Sequence, residues 1–190
     1  MLGVIVLAGG RNTRMKGTDK AAITVGGERF IDRLYRQLPA HALPIAVTPR
    51  DIGHPRVCEQ PPFGGPVAGI AAGAAYLARH PEVSTIAVLS ADAPDSPRTL
   101  PALQAALDAA GSSADVAVCA EAEHLHPLCA LWHADALHSA LQQLGDPRDV
   151  SAKRLLSLAR GQVVVPDCDF ARDYDTPTDV AAYSARLSLL

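Results

Sequence analysis

The sequence predicts a three-layer α/β/α fold built on a mostly parallel sheet with a mixed edge. Three observations carry that expectation. The chain has 190 residues, 48% of them hydrophobic and 19% charged, which suits one packed domain over residues 1–190. Two short, continuous apolar runs, 2–8 and 84–90, read as strands buried on both faces, as parallel strands are. Between and after them, strand-like and helix-like segments alternate.

Taken in order, Leu2-Gly-Val-Ile-Val-Leu-Ala8 is closed by Gly9-Gly10 and gives the first strand. Residues 29–38 carry Phe30, Ile31, Leu34, Tyr35 and Leu38 at helical spacing, and Pro39 stops them. Residues 44–48 form a second strand and 56–59 a short third. Residues 66–79 are a helix of small side chains with Pro66 at its start. The strand 84–90 leads into the polar loop Asp92-Ala-Pro-Asp-Ser-Pro97 and a helix over 98–110. Residues 115–120 and 127–132 flank the polar segment 121–126 and predict two neighbouring strands of opposite direction. Helices over 134–144 and 152–160, a strand over 162–165 and a last helix opened by Thr176-Pro177 complete the pattern, with Asp175 or Thr176 as its cap.

Composition excludes several classes of function. Seventeen Lys+Arg against twenty Asp+Glu leave a net charge of -3, so no uniformly basic surface exists for nucleic acid. The four cysteines, Cys58, Cys119, Cys129 and Cys168, include no CxxC pair, as expected of a reduced, cytoplasmic chain. The apolar run at 2–8 is too short for a membrane span and has no basic region before it, so neither a span nor a signal peptide is expected.

In such sheets ligands gather beyond the carboxyl ends of the strands. The first loop there reads Leu7-Ala-Gly-Gly-Arg-Asn-Thr-Arg-Met-Lys-Gly-Thr-Asp-Lys20 and holds two of the three lysines in the chain. Gly9 and Gly10 let a backbone approach a ligand, while Arg11, Arg14, Lys16 and Lys20 can offset a triphosphate. The same composition also suits a solvated basic loop. It is not a Walker loop, because Lys20 follows Asp19 instead of a glycine, and no GxGxxG follows the first strand.

The loop resembles the L-A-G-G-x3-R-M-x3-D-K signature of the molybdenum cofactor guanylyltransferase family. It matches at Leu7, Ala8, Gly9, Gly10, Arg14, Met15, Asp19 and Lys20. Gly65-Pro-Val-Ala-Gly69, Ser90-Ala-Asp-Ala-Pro94, His126-Pro-Leu-Cys-Ala-Leu131 and Asp175-Thr-Pro177 follow in the family's order. The resemblance implies a Rossmann-like nucleotidyltransferase fold of glycosyltransferase-A-like type. It also implies transfer of GMP from GTP to the terminal phosphate of molybdenum-bearing molybdopterin, with release of pyrophosphate and use of Mg2+. Arg14 and Lys20 would hold the β- and γ-phosphates, and the Leu7–Gly10 backbone would contact the nucleotide. Thr48, Gln60 and the Gly65 to Gly69 loop would shape the base pocket. Transient contact with molybdenum-insertion and cofactor-accepting proteins is implied as well. Nothing in the sequence demands more than a monomer.

Asp92 is the expected Mg2+ ligand, since it lies just past an apolar strand at the sheet edge; the alternative is a turn or capping aspartate. Asp175 is a second metal ligand, or it caps the last helix. The family pattern there is Asn-x-Asn-Thr-Pro, and this chain has Asp173-Tyr-Asp-Thr-Pro177. Two other positions depart: Thr48 stands where the family has asparagine, and Gln60 where it has an acid, with Glu59 one place before. His126 and Pro127 are expected on the pterin side, with a structural role for His126 as the alternative. His124-x-His126 lacks the partners of a zinc site. Arg148, Lys153 and Arg154 are either ordinary solvated charge or a contact for the pterin phosphate. The rivals are a sibling using CTP or another phosphorylated acceptor such as a phospholactate, and a non-catalytic nucleotide-binding homologue.

Overall fold

The computed structural model describes residues 1–9 and 23–187. Gly10, Arg14 and Lys20 lie outside the described residues. The main sheet has seven strands in the order β5-β4-β1-β6-β8-β7-β9. These are β1 Leu2–Leu7, β4 Leu43–Val47, β5 Arg56–Val57, β6 Thr85–Ser90, β7 Val116–Glu121, β8 His124–His133 and β9 Gln162–Val165. Every pairing is parallel except the two made by β8. A small antiparallel pair, β2 Thr24–Val25 and β3 Glu28–Arg29, turns through Gly26 and Gly27, both at positive φ.

Alternating side chains of each strand feed two cores. Val4, Val6, Ala87, Leu89, Ala117 and Leu131 face α1 (Phe30–Gln37) and α3 (Leu100–Ala110). Ile5, Ile45, Ile86, Val88, Val118 and Trp132 face α2 (Pro66–Leu77), α4 (Ala134–Leu144) and α5 (Ala152–Leu156). Helices therefore cover both faces, and the apolar runs are continuous because neither side of β1 or β6 meets water. Each fully buried Val, Leu or Ile contributes about 1.5–3 kcal/mol relative to exposure.

The small-residue composition of α2 sets how closely it lies on the sheet. A Cβ at Gly73 would fall 2.8 Å from Ile5, and one at Gly69 3.0 Å from Leu7. These two glycines, one turn apart, seat the helix directly on β1 and bring its first turn beside the end of that strand.

A third, satellite core joins Ile23, Val25, Phe30, Tyr174 and Tyr183. It docks the small hairpin and the last helix, α6 (Pro177–Leu187), beside the α1 face. Phe30 meets Tyr174 and Tyr183 edge-on, at centroid distances of 6.0 and 5.5 Å.

Four local differences from the sequence expectation stand out. The helix expected over 98–110 is preceded by a 3-10 turn at Ser96–Thr99, with Pro97 in its first turn, and becomes α-helical at Leu100. The helix expected to reach Arg160 ends at Leu156, where the Ser157 hydroxyl donates to the Arg154 carbonyl at 2.7 Å and tight turns follow. The β2–β3 hairpin was not expected. Finally, β8 starts at His124 and passes through Pro127, because its pairing with β7 skips residues 127–129: Val118 pairs Ala130 and Cys119 pairs His126. Pro127 has no N–H to give a ladder, and the bulge removes the need for one.

Candidate functional site

Three parallel strands end side by side. Leu7 pairs with Val47 on one flank and with Ser90 on the other. The ladder continues one step past the strands, with Ala8 N–H donating to the Val47 carbonyl at 3.1 Å and Ala91 N–H to the Leu7 carbonyl at 3.0 Å. The exits Ala8-Gly9, Thr48 and Ala91-Asp92 are thus fixed next to one another at one sheet edge. A Cβ at Gly9 would stand 3.3 Å from the Val47 carbonyl oxygen, tighter than ordinary contact, so glycine lets the chain leave β1 close to β4. Thr48 is buried, and its backbone N–H donates to Val57 at 2.9 Å.

The start of α2 closes one side of this edge. Gly65 precedes it at φ 88°, a conformation glycine adopts without strain, and Pro66 occupies the first turn. No acidic residue lies in that turn, and the nearby carboxylate is that of Glu59, held one residue before the cap. The loop leading to it is braced at three points. Arg148 donates to the Pro61 carbonyl at 2.7 Å, Asp149 N–H to the Gly64 carbonyl at 2.7 Å, and Gly64 N–H to the Glu59 carboxylate at 3.3 Å. Glu59 is half-buried and held in this loop, whereas Gln60 is exposed.

Asp92 is half-buried just beyond β6. The Ser90 hydroxyl donates to its carboxylate, and its carbonyl accepts the backbone N–H of Tyr174 at 3.0 Å. That last bond sets Asp175, also half-buried, one residue along from the point where the chain meets the Asp92 backbone. Thr176, not Asp175, caps α6: Asp179 N–H donates to the Thr176 hydroxyl at 3.2 Å, and Thr176 N–H donates back to the Asp179 carboxylate at 2.9 Å. The Thr176 hydroxyl also donates to that carboxylate, which lowers the Asp179 pKa.

His126 and Pro127 sit in β8, on the far side of β6 from β1. The Nε2 of His126 is shielded from water, 3.9 Å from Glu121, and makes no hydrogen bond among the described residues. Burial, followed by the nearby His124, lowers its pKa from 6.5, which favours the neutral ring. Among the described residues no group of three or more His, Cys, Asp or Glu could hold a metal by itself. Two aspartates brought to one edge are oxygen donors of the kind a hard divalent cation takes alongside phosphate and water.

The structure brings together Leu7, Ala8, Gly9, Thr48, Asp92 and Asp175 with the Gly65–Gly69 turn. It leaves Gln60 exposed on the adjoining loop and His126 beyond β6. Arg148, read from the sequence as solvated charge or a pterin-phosphate contact, braces this loop, as does Glu59, which the sequence reading noted only as the neighbour of Gln60; these contacts span 87 and 5 residues along the chain.

Comparison with known proteins extends these observations. A molybdenum cofactor guanylyltransferase of Sinorhizobium fredii is 36% identical over 138 residues, covering 67% of this chain and 62% of that relative's own length. The solved molybdopterin-guanine dinucleotide biosynthesis protein A of Archaeoglobus fulgidus superposes with a TM-score of 0.71, covering 99% of this chain and all of that one at 18% identity. A Mycobacterium tuberculosis protein crystallised in complex with manganese superposes at 0.64, with 19% identity and coverage of 97% and 98%. Both likenesses show the Rossmann-like nucleotidyltransferase fold. Residues 4–164 match the model of the MobA-like NTP transferase domain, and with more than half of its length inside that match the chain belongs to the MobA-like NTP transferase family.

Proposed function

We propose that the protein transfers GMP from GTP to the terminal phosphate of molybdenum-bearing molybdopterin. The observation that carries this reading is the registered sheet edge. There a glycine exit, the N-terminus of α2 and the backbone segments carrying Asp92 and Asp175 meet at the carboxyl ends of parallel strands. Family membership and the relatives named as guanylyltransferases support it.

In the reaction a pterin phosphate oxygen attacks the α-phosphorus of GTP. The bond from that phosphorus to the bridging oxygen breaks, and pyrophosphate leaves with the electron pair. Little covalent work is asked of the protein, so positioning and charge compensation dominate. The Leu7–Gly10 backbone would contact the nucleotide phosphates, and Arg14 and Lys20, which lie outside the described residues, would hold the leaving pyrophosphate. Thr48, Gln60 and the Gly65–Gly69 turn border the base, and His126 and Pro127 border the pterin.

Asp92 and Asp175 would hold a divalent cation, Mg2+ in the cell, whose remaining ligands are phosphate and water oxygens. Bound there, the cation would offset charge building on the phosphates. The manganese complex of the structural neighbour supports divalent metal use. The enzyme works in the cytoplasm as a monomer, receiving its pterin from insertion proteins and passing the dinucleotide to acceptor proteins by transient contact. Among the described residues no helix is long and apolar enough to cross a membrane.

The test is thermal unfolding with Mg2+ and GTP, CTP, ATP or UTP in turn, followed by product analysis with the loaded pterin. A ligand at about 100 times its Kd adds about 2.7 kcal/mol and raises the midpoint by roughly 5–10 °C. Selective stabilisation by GTP, with pterin dinucleotide formed, is expected. Selectivity for CTP moves the assignment to a cytidylyl-transferring sibling, and no shift with any nucleotide defeats the reading.

A further inference from the structure

The loop after β6 contains a second acid, Asp95, that the proposed chemistry does not use. Its side chain is only 3% exposed. It accepts hydrogen bonds from Arg33 Nε at 2.8 Å and Gln37 Nε2 at 3.2 Å, both on α1. From α6 it accepts the Tyr183 hydroxyl at 2.9 Å and Arg186 Nη2 at 3.3 Å. Gln37 also donates to the Pro94 carbonyl at 2.8 Å. One carboxylate thus ties two helices, from opposite ends of the chain, to the loop that begins with Asp92.

The tie has a direction. Tyr183 packs on Tyr174, ring centroids 4.4 Å apart, and Tyr174 N–H is the donor to the Asp92 carbonyl. A closed circuit runs from Asp92 through the loop to Asp95, across to Tyr183, through Tyr174 and back to Asp92. Asp175 follows Tyr174 directly, on the backbone that joins this circuit to α6. Burial and the bond to Asp95 hold the Tyr183 phenol above its ordinary pKa, so its O–H stays available as donor.

We propose that Asp95 is a positioning residue that sets the separation of Asp92 and Asp175 by clamping α6 to the loop after β6. The inference rests on the reading that those two carboxylates serve the nucleotide-bound cation. A buried acid held by two arginines, a tyrosine and a glutamine is costly to assemble unless the geometry is kept, and removing one partner leaves the others unsatisfied.

The test compares Asp95→Asn, Asp95→Ala and Tyr183→Phe with the parent protein. Asp115→Asn, which breaks the Arg160 pair at the opposite edge of the sheet, serves as a stability control. Hydrogen exchange of the 172–176 backbone is read without metal or nucleotide, and the Mg2+ dependence of transfer is read separately. Exchange at Tyr174 is expected to rise about tenfold in Asp95→Asn and several-fold in Tyr183→Phe, with β1 and β6 unchanged. Half-saturating Mg2+ should rise about threefold, with KM for GTP nearly constant and part of kcat restored by excess Mg2+. Asp115→Asn should lower Tm and move neither reading.

If the Asp95 and Tyr183 variants merely melt earlier, with parental Tyr174 exchange and Mg2+ dependence, the proposal is overturned. Should both Asp95 variants fail to fold, Tyr183→Phe decides, because it removes one hydrogen bond and keeps the ring. Failure of the underlying reading looks different. Asp92→Asn would then keep parental turnover and Mg2+ dependence, while the exchange data would still show whether Asp95 holds the 174 segment.

Discussion

Ala91 N–H donates to the Leu7 carbonyl at 3.0 Å, one step beyond the paired ends of β6 and β1. The consequence is a fixed offset between the exit Ala8-Gly9 and Asp92. Neither can shift along the sheet without breaking a ladder of six registered residue pairs. Such rigidity is what phosphoryl-type transfer needs, since small displacements of a charged group are costly in rate.

On this basis Asp92→Asn should lower kcat by about two orders of magnitude or more, a loss of roughly 3 kcal/mol of transition-state stabilisation. Shape is conserved, and the Ser90 hydroxyl can still donate to the amide oxygen. Steady-state kinetics at saturating Mg2+ and pterin, with Tm as a control on folding, will check this. Turnover at the parental rate would remove Asp92 from the reaction centre.

Much of this arrangement was legible in the sequence. The runs 2–8 and 84–90 could hardly be anything but strands buried on both sides, and Gly9-Gly10 and Asp92 lie where such strands end. The opposite direction of β8 followed from the short polar connection at 121–126. What was not legible depends on partners remote in sequence. Asp95 reads as one more acid in a polar loop because Arg33 and Arg186 stand 62 and 91 residues away. Likewise, the cap of α6 was ambiguous between Asp175 and Thr176 until the reciprocal bonds to Asp179 decided it. The three-residue bulge around Pro127 is set by two strands together, and neither strand's own pattern encodes it.

His126 gives a pH prediction with a definite sign. Its folded pKa is lowered from 6.5, chiefly by burial and then by His124. Between the folded and unfolded pKa values the unfolded state therefore binds more protons. The contribution to stability is full above the unfolded value and is lost as pH falls through the folded one. Denaturant midpoints should decline as pH drops from about 7 toward 5, and His126→Gln should flatten part of that decline. NMR titration should place the His126 ring below 6.5. A midpoint at or above that value would refute the assignment of a neutral, water-shielded ring.

The reciprocal cap of α6 predicts a modest and local cost. Thr176→Ala removes the acceptor for Asp179 N–H and leaves the Asp179 carboxylate with the Thr176 backbone as its remaining donor from that residue. Loss of such a cap typically costs about 1 kcal/mol, which for a chain of this length is a fall of roughly 2–4 °C in Tm. Thr176→Ser, which keeps the hydroxyl, should recover most of it. Equal losses in both variants would mean that the methyl group matters and the cap does not.

Gly161 sets the strictest steric condition in the described chain. A Cβ there would collide with the Ser113 carbonyl oxygen, which is backbone and cannot rotate away. The Gly161 carbonyl meanwhile accepts Asp115 N–H at 2.9 Å, so the same residue registers β9 on β7. Beside it, Arg160 makes a two-pronged pair with the Asp115 carboxylate, at 3.2 and 2.8 Å. Gly161→Ala must therefore push the two segments apart and weaken that register. Overpacking of this kind costs about 1–3 kcal/mol, at times more, so Tm should fall by roughly 2–12 °C. Because the strain lies at the amino edge of the sheet, KM for GTP measured well below Tm should stay at the parental value. A Tm within 1 °C of the parent, on the scale of about 2–4 °C per kcal/mol, would show that the approach of Gly161 to Ser113 is looser than described.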